Sequence, residues 1–427
     1  MMDTLKSSRF LPGLVIALTG IVAHLFWLQV VALQPEPGGD SGFYLAMAAN
    51  LRDYGVYGTG ETAQFYRPPL YSAFIWAVSL FSDNVVDAVI VAQSALSILT
   101  AVACFEMMRR ESFGTAFAWT MTWVALPFVS LTSFLLLQEM LYANLILLVC
   151  VYLYTRVHRF GWRQAVVSGV LMALVVYTRD VFLLMPVALY FAVIVVRGFG
   201  ALRSVALGLA VFVTCLMPWM LRNASMDEGG LFMSQGIVGR SLYIGTWYGD
   251  GGSQWNSEWW QTGQNLPDYA FETEADRERV ERAYRNRDND ALKDEAISRI
   301  LADPVGVAQT WVMRSRAMWI GTRSDLNTLA FADGSNLWYV SKVFFAALNA
   351  VIVGVGLIGM ILYGFRNKSF IFVCFIAYNY FVYLPFLNIE TRYSHPSLLL
   401  LLFFAIHVVQ RFLPRKRRLD PAPEPAR

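Results

Sequence analysis

Six stretches of this chain set ionisable side chains beside long apolar runs, where a charge is costly and marks a functional candidate by default. Asp40 stands in Gly38-Gly39-Asp40-Ser41-Gly42-Phe43-Tyr44, where glycines permit a sharp turn. A carboxylate there can cap the following helix, take a proton from a substrate, or do both. Arg67 lies in Tyr66-Arg67-Pro68-Pro69, where the prolines restrict the backbone and the guanidinium can grip a phosphate or reach for headgroups. Glu139 interrupts an apolar run with no basic neighbour in sequence, which points it at a cavity. Arg179 and Asp180 can pair or cap. Arg222, in Pro218-Trp219-Met220-Leu221-Arg222-Asn223, fits an interface anchor. Arg392 and Tyr393, in Glu390-Thr391-Arg392-Tyr393-Ser394-His395-Pro396, can bind a lipid phosphate, or Glu390 and Arg392 can form a surface pair. Lys342, at the start of another apolar run, is a further phosphate candidate.

Other chemistries have weaker signals. The four histidines, His24, His158, His395 and His407, are scattered. The sequence has no H-E-x-x-H, paired C-x-x-C, Walker loop or G-x-S-x-G, which argues against an ATP-driven pump and a serine hydrolase. A divalent metal is possible but not indicated. Cys104, Cys150, Cys215 and Cys374 lie inside apolar runs and read as small buried hydrophobes.

The elements that must carry these groups follow from composition. The 427 residues are 56% hydrophobic and 15% charged, with net charge +3; mean hydropathy is +0.46. Soluble domains run about 25% charged, so this chain's solvent is mostly lipid, and nothing points to nucleic acid. A spanning helix needs about 20 apolar residues. Candidate spans are 10–34, 88–108, 113–136, 140–155, 164–178, 181–196, 204–221, 343–365, 370–388 and 396–411. The first reads as an uncleaved anchor. Basic clusters at Lys6/Arg9, Arg109/Arg110, Arg156/Arg159/Arg163, Arg197/Arg203, Arg366/Lys368 and Arg411/Arg415 onwards all fall on one side if residues 70–82, too short to cross, stay on the other. The expectation is an all-α polytopic membrane protein of about ten spans, with both termini cytoplasmic.

Four regions result: 1–222, an N-terminal membrane module whose first outer loop is 35–87; 223–335, an outer loop domain; 336–411, the last spans; and 412–427, a basic cytoplasmic tail. Residues 43–54 read as a short in-plane helix with Tyr44, Met47, Ala48 and Leu51 on one face. The outer loop holds 17 acidic and 11 basic residues, a net of −6. Its first half is rich in aromatics (Tyr243, Trp247, Tyr248, Trp255, Trp259, Trp260), residues 274–300 read as helix, and a helix from Pro304 presents Trp311, Met318 and Trp319 for docking at the membrane interface.

In the order of these motifs the chain resembles GT-C-type polytopic glycosyltransferases, specifically the group of dolichyl-phosphate-mannose protein mannosyltransferases and the bacterial lipid A aminoarabinose transferase. The shared features are an Asp soon after the first span followed by Tyr (Asp40, Tyr44), a basic residue before Pro (Arg67-Pro68), an acid opening the fourth span (Glu139), Thr178-Arg179 closing the fifth, Pro218-Trp219 to Arg222-Asn223 before the large loop, and Arg392-Tyr393 before Pro396. Three positions differ: Ser41 follows Asp40 where the protein mannosyltransferases have a second acid, Arg67 replaces the Lys of the aminoarabinose transferase, and Asp180 stands where relatives often have Pro.

The resemblance implies an inverting transferase in the cell inner membrane. It would move a sugar from a polyprenyl-phosphate donor to a lipid, glycan or protein acceptor on the outer, periplasmic face, with no cofactor certain. It implies Asp40 as catalytic base and Glu139 as a second catalytic carboxylate. Arg67, Arg392, Lys342 and Arg222 would bind the donor phosphate, and Tyr44, Tyr66, Arg179 and Tyr393 the substrates. The rival reading is a flippase or transporter of a lipid-linked substrate, without chemistry.

Overall fold

The computed structural model describes residues 8, 10–30, 39–226, 230–234, 238–247, 274–286, 288–321, 335–365, 367–385 and 391–412. Tyr248, Trp255, Trp259, Trp260, Glu390 and the basic tail lie outside the described residues. Seventeen α-helices are described: α1 Leu11–Leu28, α2 Gly39–Tyr54, α3 Leu70–Ser79, α4 Val85–Met108, α5 Phe113–Ala125, α6 Pro127–Ser133, α7 Glu139–Arg156, α8 Trp162–Thr178, α9 Met185–Arg197, α10 Leu202–Ala224, α11 Val238–Gly245, α12 Glu274–Arg285, α13 Asn289–Ala302, α14 Pro304–Ile320, α15 Asn336–Gly359, α16 Phe370–Tyr383 and α17 His395–Phe412. The described strands, β1 Gly58–Thr59 and β2 Thr62–Ala63, form a small hairpin after α2.

Among the described residues, seven helical segments are long and apolar enough to cross a membrane, or eight if α5 and α6, bent by 54° at Pro127, make one span. This is a multi-pass helical architecture, with fewer qualifying spans than the ten expected. The expected span 164–178 falls on α8, a shorter apolar helix of 17 residues. The expected span 370–388 falls on α16, of 14 residues. Residues 70–82 form only the ten-residue helix α3, whose Tyr71, Ser72 and Ile75 are buried.

Local chemistry sets the boundaries. Asn84 caps α4 by accepting from the Asp87 N–H, and Ser335 caps α15 through Trp338 N–H. Asp303 caps α14 through Gly306 N–H, with Pro304 in the first turn. Gly198, at φ 82°, ends α9. Close helix packing uses glycine: a Cβ on Gly356 or Gly359 of α15 would come within 2.7 or 2.4 Å of the Leu401 or Phe404 carbonyl oxygen of α17.

The main core fills the space between α5, α7, α8, α9, α16 and α17, around Trp119, Trp123, Phe182 and Phe403. A second apolar cluster joins α2, α3, α4 and α15 through Tyr44, Tyr71, Val89 and Phe345. Helices α11, α12 and α13 share a small core of their own in Tyr243, Trp247, Tyr284 and Leu292. On α14 the residues expected to dock at the membrane interface all make contacts within the protein, with Trp311 and Trp319 half-buried. Met318 is buried, Trp311 donates to the Gly245 carbonyl at 2.8 Å, and the Trp319 ring lies 6.0 Å from that of Tyr380. The outward large apolar residues of α14 are Val305, Val312, Met313 and Ile320.

Candidate active site

Two ion-pair groups assemble at one end of the bundle. The first comes from the segment after α1. Helix α2 buries Tyr44, Met47 and Ala48 of the face expected from sequence and leaves Leu51 half-buried, and Asp40 sits in its first turn, where the helix dipole favours a carboxylate. Arg67 comes in from just before α3. Its Nη2 donates to Asp40 Oδ1 at 2.6 Å and its Nη1 to the Tyr44 hydroxyl at 3.1 Å. The guanidinium also lies 5.5 Å from the Phe43 ring centre and 5.3 Å from that of Tyr44.

The second group is more deeply buried. Glu139 opens α7 with its side chain 5% exposed, and Arg179, following α8, donates to its Oε1 at 3.0 Å. Arg392 approaches the same oxygen with its Nε at 3.6 Å. Arg179 is enclosed by aromatic rings: its guanidinium stands 4.2 Å from Tyr393, 5.3 Å from Tyr383 and 5.4 Å from Tyr142. Tyr383 and Tyr393 stack at 4.9 Å, and the Tyr142 hydroxyl donates to the Arg392 carbonyl at 3.3 Å. Arg179 thus holds Glu139 at short range and Arg392 holds it at longer range, the two arginine side chains being equally exposed at 15%.

The two groups share a neighbourhood. Burial pushes the Tyr44 hydroxyl well above its ordinary range, Arg67 opposes this, and Asp40 and Glu139 add to it. Tyr44 is therefore a neutral O–H donor and acceptor within the fields of both carboxylates.

The remaining sequence candidates are placed differently. Arg222, at the end of α10, donates to the carbonyls of Gln64 at 2.7 Å and Tyr57 at 3.0 Å, with its guanidinium 4.5 Å from the Trp219 ring. It staples the segment between α2 and α3 to α10 instead of joining the arginines above. Tyr57 continues this support by donating to the Arg67 carbonyl at 3.2 Å, and burial pushes its hydroxyl up to about 12. Lys342 is exposed, with its Nζ 5.1 Å from the Trp338 ring. Tyr66 is exposed and packs beside Phe65. Asp180 accepts a hydrogen bond from Ser234. His395 is buried, with Nδ1 3.0 Å from Thr132 Oγ1 and its ring stacked on Phe128. Among the described residues, no group of three His, Cys, Asp or Glu could hold a metal ion.

No protein-family model matches the chain, and no curated protein matches it in sequence. Solved structures do match. The apo oligosaccharyltransferase of Archaeoglobus fulgidus superposes at TM-score 0.54 and 11% identity, over 95% of this chain and 51% of that one. This is a GT-C fold. The same archaeal enzyme tethered to an acceptor peptide containing the NVT sequon gives TM-score 0.52 at 11% identity, over 95% and 50% of the two chains. Its complex with an inhibitory peptide and a dolichol-phosphate gives 0.50 at 10% identity, over 95% and 51%. The chain spans about half the length of these neighbours.

Within this GT-C fold, four residues are additional to those expected from sequence: Tyr142 and Tyr383 around Arg179, Tyr57 under the Arg67 backbone, and Gln93 of α4, fully buried and bonded to Tyr71 and Ser133. Gln93 carried a signal, being a polar residue inside a span. Aromatics in an apolar run carry none.

Proposed function

We propose that the chain is an integral-membrane inverting glycosyltransferase that moves a sugar from a polyprenyl-phosphate donor to a lipid, glycan or protein acceptor. The observation carrying this reading is the pairing pattern: three arginines, Arg67, Arg179 and Arg392, gather about two carboxylates, Asp40 and Glu139. Guanidinium groups gathered in this way suit the negative charge of a lipid phosphodiester. The GT-C fold, with one neighbour solved with a dolichol-phosphate, supports a lipid-linked donor.

The chemistry follows from the geometry. Arg67 holds Asp40 Oδ1, leaving Oδ2 to take the proton of the acceptor hydroxyl. The acceptor oxygen forms a bond to the anomeric carbon as the bond from that carbon to the phosphate oxygen breaks, and this single displacement inverts the centre. The phosphate leaves with the electron pair, and Arg392 and Arg67 stabilise its charge. Glu139, locked by Arg179, orients Arg392. The orientation we infer has ten spans, both termini in the cytoplasm and this site on the outer face of the cell inner membrane, since the basic clusters then fall inside. On the same reading, 223–335 is a loop domain beside the site.

The test is Asp40→Asn in proteoliposomes supplied with a polyprenyl-phosphate sugar. Transfer should fall by about 10²- to 10⁴-fold, with membrane insertion and the detergent elution profile unchanged. Full turnover by this variant would rule out Asp40 as the base.

A further inference from the structure

Beneath the two ion-pair groups lies a buried polar link that the chemistry above does not use. Gln93 is fully buried in α4, eight residues from its start and so about 12 Å along the helix. Its carboxamide Nε2 donates to the carbonyls of Ser133 at 3.0 Å and Leu135 at 2.9 Å. Its Oε1 accepts from the Tyr71 hydroxyl at 3.0 Å. The two carbonyls can only accept, so the NH₂ must face them. The amide oxygen must then face Tyr71, and the Tyr71 hydroxyl must be the donor.

Each end of this link leads to one half of the site. Ser133 ends α6, and residues 134–138 form the break before Glu139 opens α7. A helix end leaves carbonyls without helical partners, and lipid cannot satisfy them; Gln93 satisfies two. The His24 ring adds a weaker contact, with Nε2 3.4 Å from Ser133 Oγ. At the other end, Tyr71 of α3 packs edge-on against the Tyr44 ring at 4.9 Å, and the Tyr44 hydroxyl accepts from Arg67, which holds Asp40. The Asp40 half thus connects to the Glu139 half by one unbroken chain of contacts: Arg67, Tyr44, Tyr71, Gln93, then the 133–135 backbone.

We propose that Gln93, acting with Tyr71, is a positioning residue that sets the register between the Asp40–Arg67 pair and the Glu139–Arg179–Arg392 group. Base and phosphate-binding cation must act on the same bond, so a shift of about 1 Å between the halves costs up to about a hundredfold in rate. Gln is suited to the role. Glu offers no donor for the two carbonyls, and Met fills the volume but leaves both carbonyls and the Tyr71 hydroxyl without Gln93.

The kinetic arm of this proposal rests on the transferase reading; the structural arm does not. In the purified full-length protein in nanodiscs, Gln93→Met should speed amide hydrogen exchange both in 134–139 and in 40–50, two segments that share this link. Faster exchange in 134–139 alone would reduce Gln93 to a local helix-end partner and overturn the proposal. Tyr71→Phe keeps the ring contact with Tyr44, removes only the hydroxyl, and is the milder variant should Gln93→Met fail to fold; it should show the same paired change, and no change in either segment would also overturn the proposal. In transfer assays, Gln93→Met should lower kcat by about ten- to a hundredfold with donor KM nearly constant, and the double variant should be no worse than Gln93→Met. Additive losses, or a change confined to KM, would count against it. Should the wild-type protein show no transfer, the reading of function fails, and the exchange data still decide whether Gln93 couples the two segments.

Discussion

Arg179 binds Glu139 Oε1 at 3.0 Å with its guanidinium 4.2 Å from the Tyr393 ring, so this carboxylate is held by a cation that is itself enclosed. Removing Arg179 strands a buried charge. Arg179→Met should destabilise the protein by about 3–5 kcal/mol. The double variant Arg179→Met/Glu139→Gln should recover part of that loss. Thermal unfolding in detergent, followed by tryptophan fluorescence, measures both. Equal stability of the single and double variants would mean the pair is not coupled.

Arg392 is the contrasting cation, 3.6 Å from Glu139 through Nε. If it meets the donor phosphate, Arg392→Lys should keep the charge but lose the planar fork. We expect donor KM to rise about tenfold, the equivalent of about 1.4 kcal/mol, with a smaller change in thermal stability than for Arg179→Met. Steady-state kinetics against donor concentration provide the check, and an unchanged KM would remove Arg392 from the donor site.

Arg222 supports the segment between α2 and α3 through the carbonyls of Tyr57 and Gln64. Hydrogen bonds from charged groups contribute about 1.5–3 kcal/mol each. Arg222→Ala should therefore loosen residues 55–66, seen as faster limited proteolysis there. Because Tyr57 carries the Arg67 backbone, transfer should also decline. An unaltered cleavage pattern would show that the staple is dispensable.

The α15–α17 contact depends on absent side chains. Gly359→Leu would drive a Cβ to 2.4 Å from the Phe404 carbonyl oxygen, and this contact can be relieved only by separating the helices. Such overpacking costs about 1–3 kcal/mol. The melting temperature should fall by several degrees, whereas Gly354→Leu, at a position with open space around it, should leave it unchanged.

Apolar run length makes the helical membrane architecture legible in the sequence, and the GT-C resemblance agrees with the superposition. Reading span number from apolar runs is less reliable, because Pro127 bends one run by 54° and α8 and α16 are short. The sequence also points to Asp40, Arg67, Glu139, Arg179, Arg392 and Tyr393 as charged or aromatic groups at apolar boundaries, and the fold gathers these six. It does not show which arginine meets which acid. Arg67 closes on Asp40 across 27 residues, and Arg222 is diverted to backbone carbonyls 158 and 165 residues away. Pairings of that range are set by helix packing, on which local patterning is silent. Trp311 and Met318 show the same gap: their types suit a lipid interface, yet the tertiary fold gives them contacts within the protein.

The order in which the chain is made bears on how this bundle enters the bilayer. Glu139 is synthesised first and its partner Arg179 forty residues later, so once α8 is complete the acid that opened α7 can be neutralised by its own neighbour. Arg392 is made only just before α17, the Tyr142 hydroxyl reaching its carbonyl across 250 residues. The Glu139–Arg179 pair can thus form among the early helices before Arg392 leaves the ribosome. A chain stalled short of Arg392 would hold Glu139 already paired.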